Sequence, residues 1–253
     1  MKPSVLIVIS LFVCSCVYSQ QNNFEEERPA NLFPTAEIVT RYHNEWTVKN
    51  YRKRINVFKN DIPTSGCVFF IGNSITQQGG DWSERFGGSN IKNRGIAGDV
   101  TDGVLKRLDE IVYYKPKAIF ILIGINDLFN IHYKEDTKGM KYDKIIPSAH
   151  YVGKNITKIA KTLHNRLPNT KIYVRTVMPT RRDFLKEDIL KVNKVINKES
   201  KKGYFALIDF YSEFVDDLGY LAKGLTNDGV HLNEAGYKKW VDIEKETVNE
   251  FYH

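Results

Sequence analysis

Short apolar runs alternate along the chain with longer segments in which apolar residues recur every three or four positions. The short runs have the length and low charge of strands that are covered on both faces. The longer segments have the period of amphipathic helices. The predicted strands are residues 67–71, 117–123, 171–177 and 204–208, with a weaker one near 90–93, and the predicted helices are 41–60, 100–112, 151–167, 185–198 and 233–251.

This alternation favours a parallel sheet with helices on both faces. Residues 37–253 contain no repeat, low-complexity tract or linker, so we predict a single α/β domain there. Residues 20–36 are polar, include two prolines and lack a clear period, and we predict that they form a flexible lead-in.

The first 19 residues have the features of an export signal. Lys2 supplies a positive charge, residues 5–13 are apolar apart from one serine, and small residues precede Gln20, before which cleavage is expected. The apolar run is too short to span a bilayer. Residues 13–16 also loosely resemble a lipobox, which would make Cys16 a lipid anchor. Either leader predicts an exported protein, in the periplasm or the extracellular space.

Composition and charge add little to this picture. Hydrophobic content of 42% and charged content of 26% are ordinary for a globular domain. The net charge is +7, but the densest basic stretch, 181–202, follows a helical period and fits a solvated helix face, so no nucleic-acid partner is predicted. Without its leader the chain keeps only Cys67, which excludes an intrachain disulfide and a cysteine zinc site; a small buried hydrophobe is its expected role.

Polar clusters follow several of the predicted strands. They are Gly72-Asn73-Ser74, Gly95 to Asp99, and Gly124-Ile125-Asn126-Asp127, and a fourth cluster, Asp228-Gly229-Val230-His231, lies near the C-terminus. The carboxyl ends of parallel strands meet at one edge of a sheet, where α/β proteins bind their ligands. Each cluster alone is a weak signal, but together they indicate one site.

These residue types fit acyl transfer. A serine hydroxyl needs a base when it attacks a carbonyl, and His231 can serve as that base for Ser74. Asp228 can hold the imidazole in the required tautomer. The backbone N–H groups of Ser74 and Gly98 and the side-chain amide of Asn126 can stabilise the oxyanion.

The four clusters resemble the blocks of the SGNH hydrolases, also called GDSL esterases, and the pattern is most similar to the acetylhydrolase-like branch. The resemblance spans residues 68–232. It implies a flavodoxin-like three-layer α/β/α sandwich with a five-stranded parallel sheet. It also implies Ser74, Asp228 and His231 as the triad, with Gly98 and Asn126 completing the oxyanion hole.

One position departs from the family pattern, which usually has Gly-Asp-Ser where this chain has Gly72-Asn73-Ser74. An Asn can still hydrogen-bond the turn, so we expect activity to be retained. The rival α/β-hydrolase elbow requires Gly two residues after the serine. Thr76 occupies that position and excludes the elbow.

Three further residues could contact a substrate, but each also has a simpler structural interpretation. Trp82 could line the acyl site, but a core aromatic is the favoured interpretation. Arg181 and Arg182 follow a predicted strand and could meet an anionic substrate, although a solvated loop is the simpler expectation.

The sequence therefore predicts a secreted serine esterase that removes a short acyl group, acetyl by resemblance, from a carbohydrate or small-molecule ester. No cofactor is expected. Two alternatives stay open: a lipase or lysophospholipase of the same fold, and a non-catalytic module that binds glycan in the same cleft.

Overall fold

The computed structural model describes residues 28–29, 31–36, 39–134 and 144–252. Its sheet has five strands in the order β2-β1-β3-β4-β5, and every neighbouring pair is parallel. The strands are β1 Val68–Gly72, β2 Ile91–Gly95, β3 Ala118–Leu122, β4 Lys171–Arg175 and β5 Ala206–Ile208. This is the flavodoxin-like order. The predicted five-stranded α/β/α fold is confirmed.

The helices of the described residues are α1 Glu45–Asn60, α2 Ser74–Gln78, α3 Trp82–Arg85, α4 Thr101–Leu105, α5 Leu108–Tyr114, α6 Ile125–Ile131, α7 Ala149–Arg166, α8 Lys186–Ser200, α9 Phe210–Phe214 and α10 Glu234–Asn249, with 3₁₀ turns at Asp183–Leu185 and Lys223–Leu225. None of the helices in this part of the chain is long and apolar enough to cross a membrane.

Both faces of the sheet are covered, because successive residues of a strand point to opposite sides. On one face Phe69 packs edge-on against Tyr114 of α5. On the other face Phe70 packs against Trp82 of α3 and Trp240 of α10. Trp82 is fully buried, so its favoured interpretation as a core aromatic is correct.

A buried ion pair fastens the last helix to the sheet. Arg175, at the end of β4, binds both carboxylate oxygens of Glu244 in α10 at 2.6 and 2.7 Å. Its guanidinium also lies 4.3 Å from the ring centre of Phe70 and 4.6 Å from that of Trp240. This contact fixes α10 and, with it, the loop that precedes the helix.

The helix predicted over residues 100–112 is wrong as a single element. It is divided into α4 and α5 at Arg107, whose backbone leaves the helical region with φ −123° and ψ 27°. The Arg107 side chain is buried and bonds to the carbonyl oxygens of Arg94 and Gly72. A periodic pattern cannot reveal this break, because it depends on partners in β1 and β2.

The packed part of the chain begins earlier than residue 37. Leu32 and Phe33, within the predicted lead-in, are buried in the core, and Arg28 donates to the carbonyl oxygen of Lys59 at 2.6 Å. Leu32 and Phe33 thus pack against the domain, although they fall within the predicted lead-in. The predicted signal peptide, the Cys16 anchor and the rest of the lead-in up to residue 27 lie outside the described residues.

Candidate active site

Ser74 is the first residue of α2, directly beyond the end of β1. Asn73 caps this helix, and its Oδ1 accepts the N–H of Ile75 at 3.0 Å. Asn73 thus makes the turn-stabilising hydrogen bond that we expected at this position. Ser74 is 7% exposed, so little of this residue is open to solvent.

A chain of hydrogen bonds joins Ser74, His231 and Asp228. His231 Nε2 lies 2.9 Å from Ser74 Oγ, and His231 Nδ1 lies 2.7 Å from Asp228 Oδ2. An imidazole that donates through Nδ1 to the carboxylate can accept the serine proton at Nε2. The structure thus brings the three residues together in the order that the sequence predicted.

Two backbone N–H groups hold the carboxylate of Asp228 in place. Asp228 Oδ1 accepts the N–H groups of Val230 at 2.9 Å and His231 at 2.8 Å. Partial burial alone would raise the pKa of Asp228, but the hydrogen bonds from the His231 side chain and from these two N–H groups lower it to about 2. The group is therefore a carboxylate at any pH near neutrality.

The loop that carries His231 and Asp228 is closed by local contacts. Thr226 Oγ1 donates to the carbonyl oxygen of His231 at 2.6 Å and accepts the N–H of Gly229 at 2.8 Å. The loop then enters α10, where Asn233 caps the helix. Arg181 fastens the other side, because its N–H donates to the carbonyl oxygen of Gly229 at 2.7 Å and its side chain binds Asp216. Arg181 thus lies in a partly exposed loop, as expected, and its contacts fix that loop against Gly229 and Asp216.

Gly98 lies between α2 and Asn126. The N–H of its neighbour Ala97 donates to Gln77 Oε1 at 2.7 Å, and the carbonyl oxygen of Asp99 accepts Asn126 Nδ2 at 2.9 Å. Gly98 has φ +81°, a conformation that favours glycine. An amide nitrogen carries two hydrogens, so Asn126 keeps one for a ligand. These bonds connect the segments that carry the predicted oxyanion donors: Ala97 to α2, which Ser74 begins, and Asn126 to the residue after Gly98.

A network of buried polar and charged side chains supports the Gly98 loop, and no site role was predicted for its members from the sequence. Asp99 Oδ2 accepts Arg107 Nε at 3.1 Å, and Asp99 Oδ1 lies 3.3 Å from His43 Nε2. All three side chains are at most 5% exposed. Because Arg107 also binds the carbonyl oxygen of Gly72, the network ties the Gly98 loop to the strand that precedes Ser74. The available signal was Asp99 itself, a charged residue inside a glycine-rich block.

Asp127 braces the helix that carries Asn126. Its carboxyl accepts both the backbone N–H and the hydroxyl of Thr101, the latter at 2.6 Å. Complete burial raises the pKa of Asp127 to about 8, despite these bonds. The contact joins the start of α6 to the start of α4.

Within the described ranges, no group of three or more His, Cys, Asp or Glu side chains is arranged to hold a metal ion.

A model of the GDSL-like lipase/acylhydrolase family matches residues 70–239. The α2 subunit of platelet-activating factor acetylhydrolase IB from Rattus norvegicus is 29% identical over 180 residues, covering 68% of this chain and 71% of its own. A GDSL-like lipase from Bacteroides thetaiotaomicron superposes with a TM-score of 0.63 at 21% identity, covering 79% of this chain and 98% of its own. An acetylxylan esterase from Geobacillus stearothermophilus superposes with a TM-score of 0.57 at 19% identity, covering 73% and 94%.

Proposed function

Because this chain belongs to the GDSL-like lipase/acylhydrolase family and is a carboxylic ester hydrolase, we propose that it is an exported esterase that removes acetyl groups from carbohydrate. The observation that carries the proposed mechanism is the hydrogen-bond chain from Ser74 through His231 to Asp228, at 2.9 and 2.7 Å. A site that only bound glycan would have no need of this arrangement.

In the proposed reaction Ser74 Oγ attacks the ester carbonyl while His231 Nε2 takes the hydroxyl proton. The negative charge on the carbonyl oxygen is stabilised by the N–H groups of Ser74 and Gly98 and by the Asn126 amide. The carbon–oxygen bond to the alcohol then breaks, and His231 returns the proton to the leaving alcohol. Water, deprotonated by His231, attacks the acetyl-enzyme; the bond from the acetyl carbon to Ser74 Oγ breaks, His231 returns the proton to Ser74, and acetate leaves. Asp228 stays ionised throughout and orients the imidazole.

The resemblance of the sequence motifs to the acetylhydrolase-like branch supports a short acyl group.

The acetyl preference also draws on the relatives. Two proteins named as acetyl-ester hydrolases, the rat acetylhydrolase subunit and the bacterial acetylxylan esterase, match this chain. The family's description as lipase/acylhydrolase supports a second candidate, an ester of a lipid alcohol. We favour carbohydrate and keep export, through the leader or through Cys16, as part of the proposal.

The test is hydrolysis of p-nitrophenyl acetate, butyrate and octanoate by the protein and by Ser74→Ala. We expect turnover that decreases with chain length and that falls at least about a thousandfold in the variant. The same pair is then assayed on acetylated xylan and on an acetylated phospholipid. Preference for octanoate would contradict the acetyl assignment, and equal rates in both proteins would remove the role of Ser74.

A further inference from the structure

We propose that Trp46 is the alcohol-side specificity residue of this esterase, a platform on which a sugar ring of the substrate stacks. The inference rests on the proposed function, whose ester chemistry it deepens. Trp46 lies in α1, outside the residues 70–239 that match the family.

Trp46 is open to solvent at the edge of the candidate oxyanion hole. A methyl group on the Cα of Gly98 would lie 2.8 Å from Trp46 Cζ3, so one edge of the indole touches this glycine. The rest of the side chain is exposed, since Trp46 has 51% of its surface accessible. The other two tryptophans, Trp82 and Trp240, are completely buried.

The backbone that carries Trp46 is fixed in the first turn of α1. Asn44 and Thr47, on either side of it in the sequence, form a reciprocal capping box, and Thr47 is buried. Further along the helix, Asn50 donates to the carbonyl oxygen of Ala97 at 2.6 Å, and Arg54 donates to that of Gly95 at 3.0 Å. The helix and the Gly98 loop are thus joined directly, so the backbone of Trp46 keeps its position relative to Gly98.

The surroundings of Trp46 favour a sugar over an alkyl chain. Its exposed neighbours on the first turns, Glu45 and Lys49, are charged. The exposed large apolar residue nearest in the helix is Val57, three turns away, so α1 presents no continuous apolar strip. An isolated aromatic face in a polar surface suits a ligand with C–H bonds on its faces and hydroxyls around its edge, as in a pyranose.

In this proposal the Trp46 indole contacts the alcohol part of the ester and not the acyl part. An ester whose carbonyl oxygen binds near Gly98 brings one of its two substituents towards the indole. An acetyl group offers only a methyl, which cannot cover an indole ring. A ring-sized contact with Trp46 therefore comes from the alcohol.

The kinetic test compares two acetyl esters, xylose tetraacetate and ethyl acetate, in the wild-type protein, Trp46→Ala, Trp46→Phe and the control Val57→Ala. We expect kcat/KM of Trp46→Ala to fall at least tenfold more for the sugar ester than for ethyl acetate, mainly through KM. The phenylalanine variant should recover part of the loss, and Val57→Ala should match the wild type on both substrates. Equal losses on the two esters would indicate only a support for the Gly98 loop and would overturn the proposal.

A binding measurement separates this inference from the catalytic one. Because Trp82 and Trp240 are buried, a change in tryptophan fluorescence on titration with xylotetraose, which carries no ester, reports on Trp46. We expect a saturable change in the wild type and in Ser74→Ala, and its absence in Trp46→Phe. If the wild type hydrolyses ethyl acetate but its fluorescence does not respond to xylotetraose, the role of Trp46 is contradicted and the esterase proposal stands. If the protein is inactive on both esters but its fluorescence still responds, the esterase proposal is contradicted and sugar binding at Trp46 stands.

Discussion

His231 and Asp228 lie within one four-residue loop, whereas the proposed oxyanion donors Ser74, Gly98 and Asn126 come from three segments at the ends of β1, β2 and β3. The loop is closed by its own hydrogen bonds and stays partly exposed. The donor side is held by buried charges and by α1. We therefore expect changes in the first region to alter the reaction with little effect on stability, and changes in the second to alter both.

The largest effect is expected in the His–Asp loop. Asp228→Asn should lower kcat by about 10⁴-fold, because the amide does not hold His231 in the tautomer that accepts the serine proton. Steady-state kinetics on p-nitrophenyl acetate measure the loss, and thermal unfolding is the control. A drop in melting temperature as large as that expected for Arg107→Met would contradict the expectation that changes in this loop have little effect on stability.

Next in size is the buried pair beneath the donor side. Arg107→Met leaves the Asp99 carboxylate buried without its main partner, and the free energy of unfolding should fall by about 3–5 kcal/mol. Chemical denaturation measures this change. The matched control is Arg166→Met, which breaks a solvent-exposed ion pair with Asp109 and should cost at most about 1 kcal/mol. Equal losses in the two variants would contradict the supporting role of the network.

Asn126→Ala tests a donor directly. Removal of one oxyanion donor costs about 10²–10³ in kcat. Asn60→Ala is the control, because Asn60 also donates to a backbone carbonyl but stands at the far end of α1. An unchanged kcat with a raised KM would assign Asn126 to substrate binding alone.

Gly98→Ala separates backbone strain from the contact with α1. Alanine at φ +81° costs about 1–2 kcal/mol, and its methyl would also meet Thr47 Cγ2 at 2.6 Å. Gly203→Ala places the same residue at φ +80° with nothing within 4 Å, so it reports the strain alone. We expect Gly98→Ala to be the less stable of the two and the only one with reduced activity. Equal stability and activity in the two variants would show that α1 moves to accommodate the methyl group at no cost.

The smallest effect concerns acid stability. The pKa of Asp228 is about 2 in the folded protein, below the ordinary value of 3.8, so this carboxylate stabilises the fold above pH 4 and loses that contribution as the pH falls towards 2. The free energy of unfolding should therefore decrease slightly more between pH 4 and pH 2 in the wild type than in Asp228→Asn. Parallel curves would show that the pair contributes nothing to folding.

Much of the fold was predictable because its signals are local. The apolar runs 67–71 and 117–123 correspond to β1 and β3 within a residue or so, and the helix predicted over 233–251 corresponds to α10. Even the weak strand near 90–93 is β2, which the alternating topology required. The division of residues 100–112 into two helices was not predictable, because Arg107 leaves the helical pattern to reach partners in other strands.

The sequence by itself determined the chemistry that the site can perform. Ser74, Gly98, Asn126, Asp228 and His231 were predicted as site residues because each stands in a short motif, and parallel strands bring such motifs to one edge. Only the tertiary structure revealed the support: Arg107 and His43 against Asp99, and the indole of Trp46 against Gly98. These contacts join residues 8 to 56 positions apart, and their existence depends on how helices pack on the sheet. No periodicity or motif in a single chain records that packing.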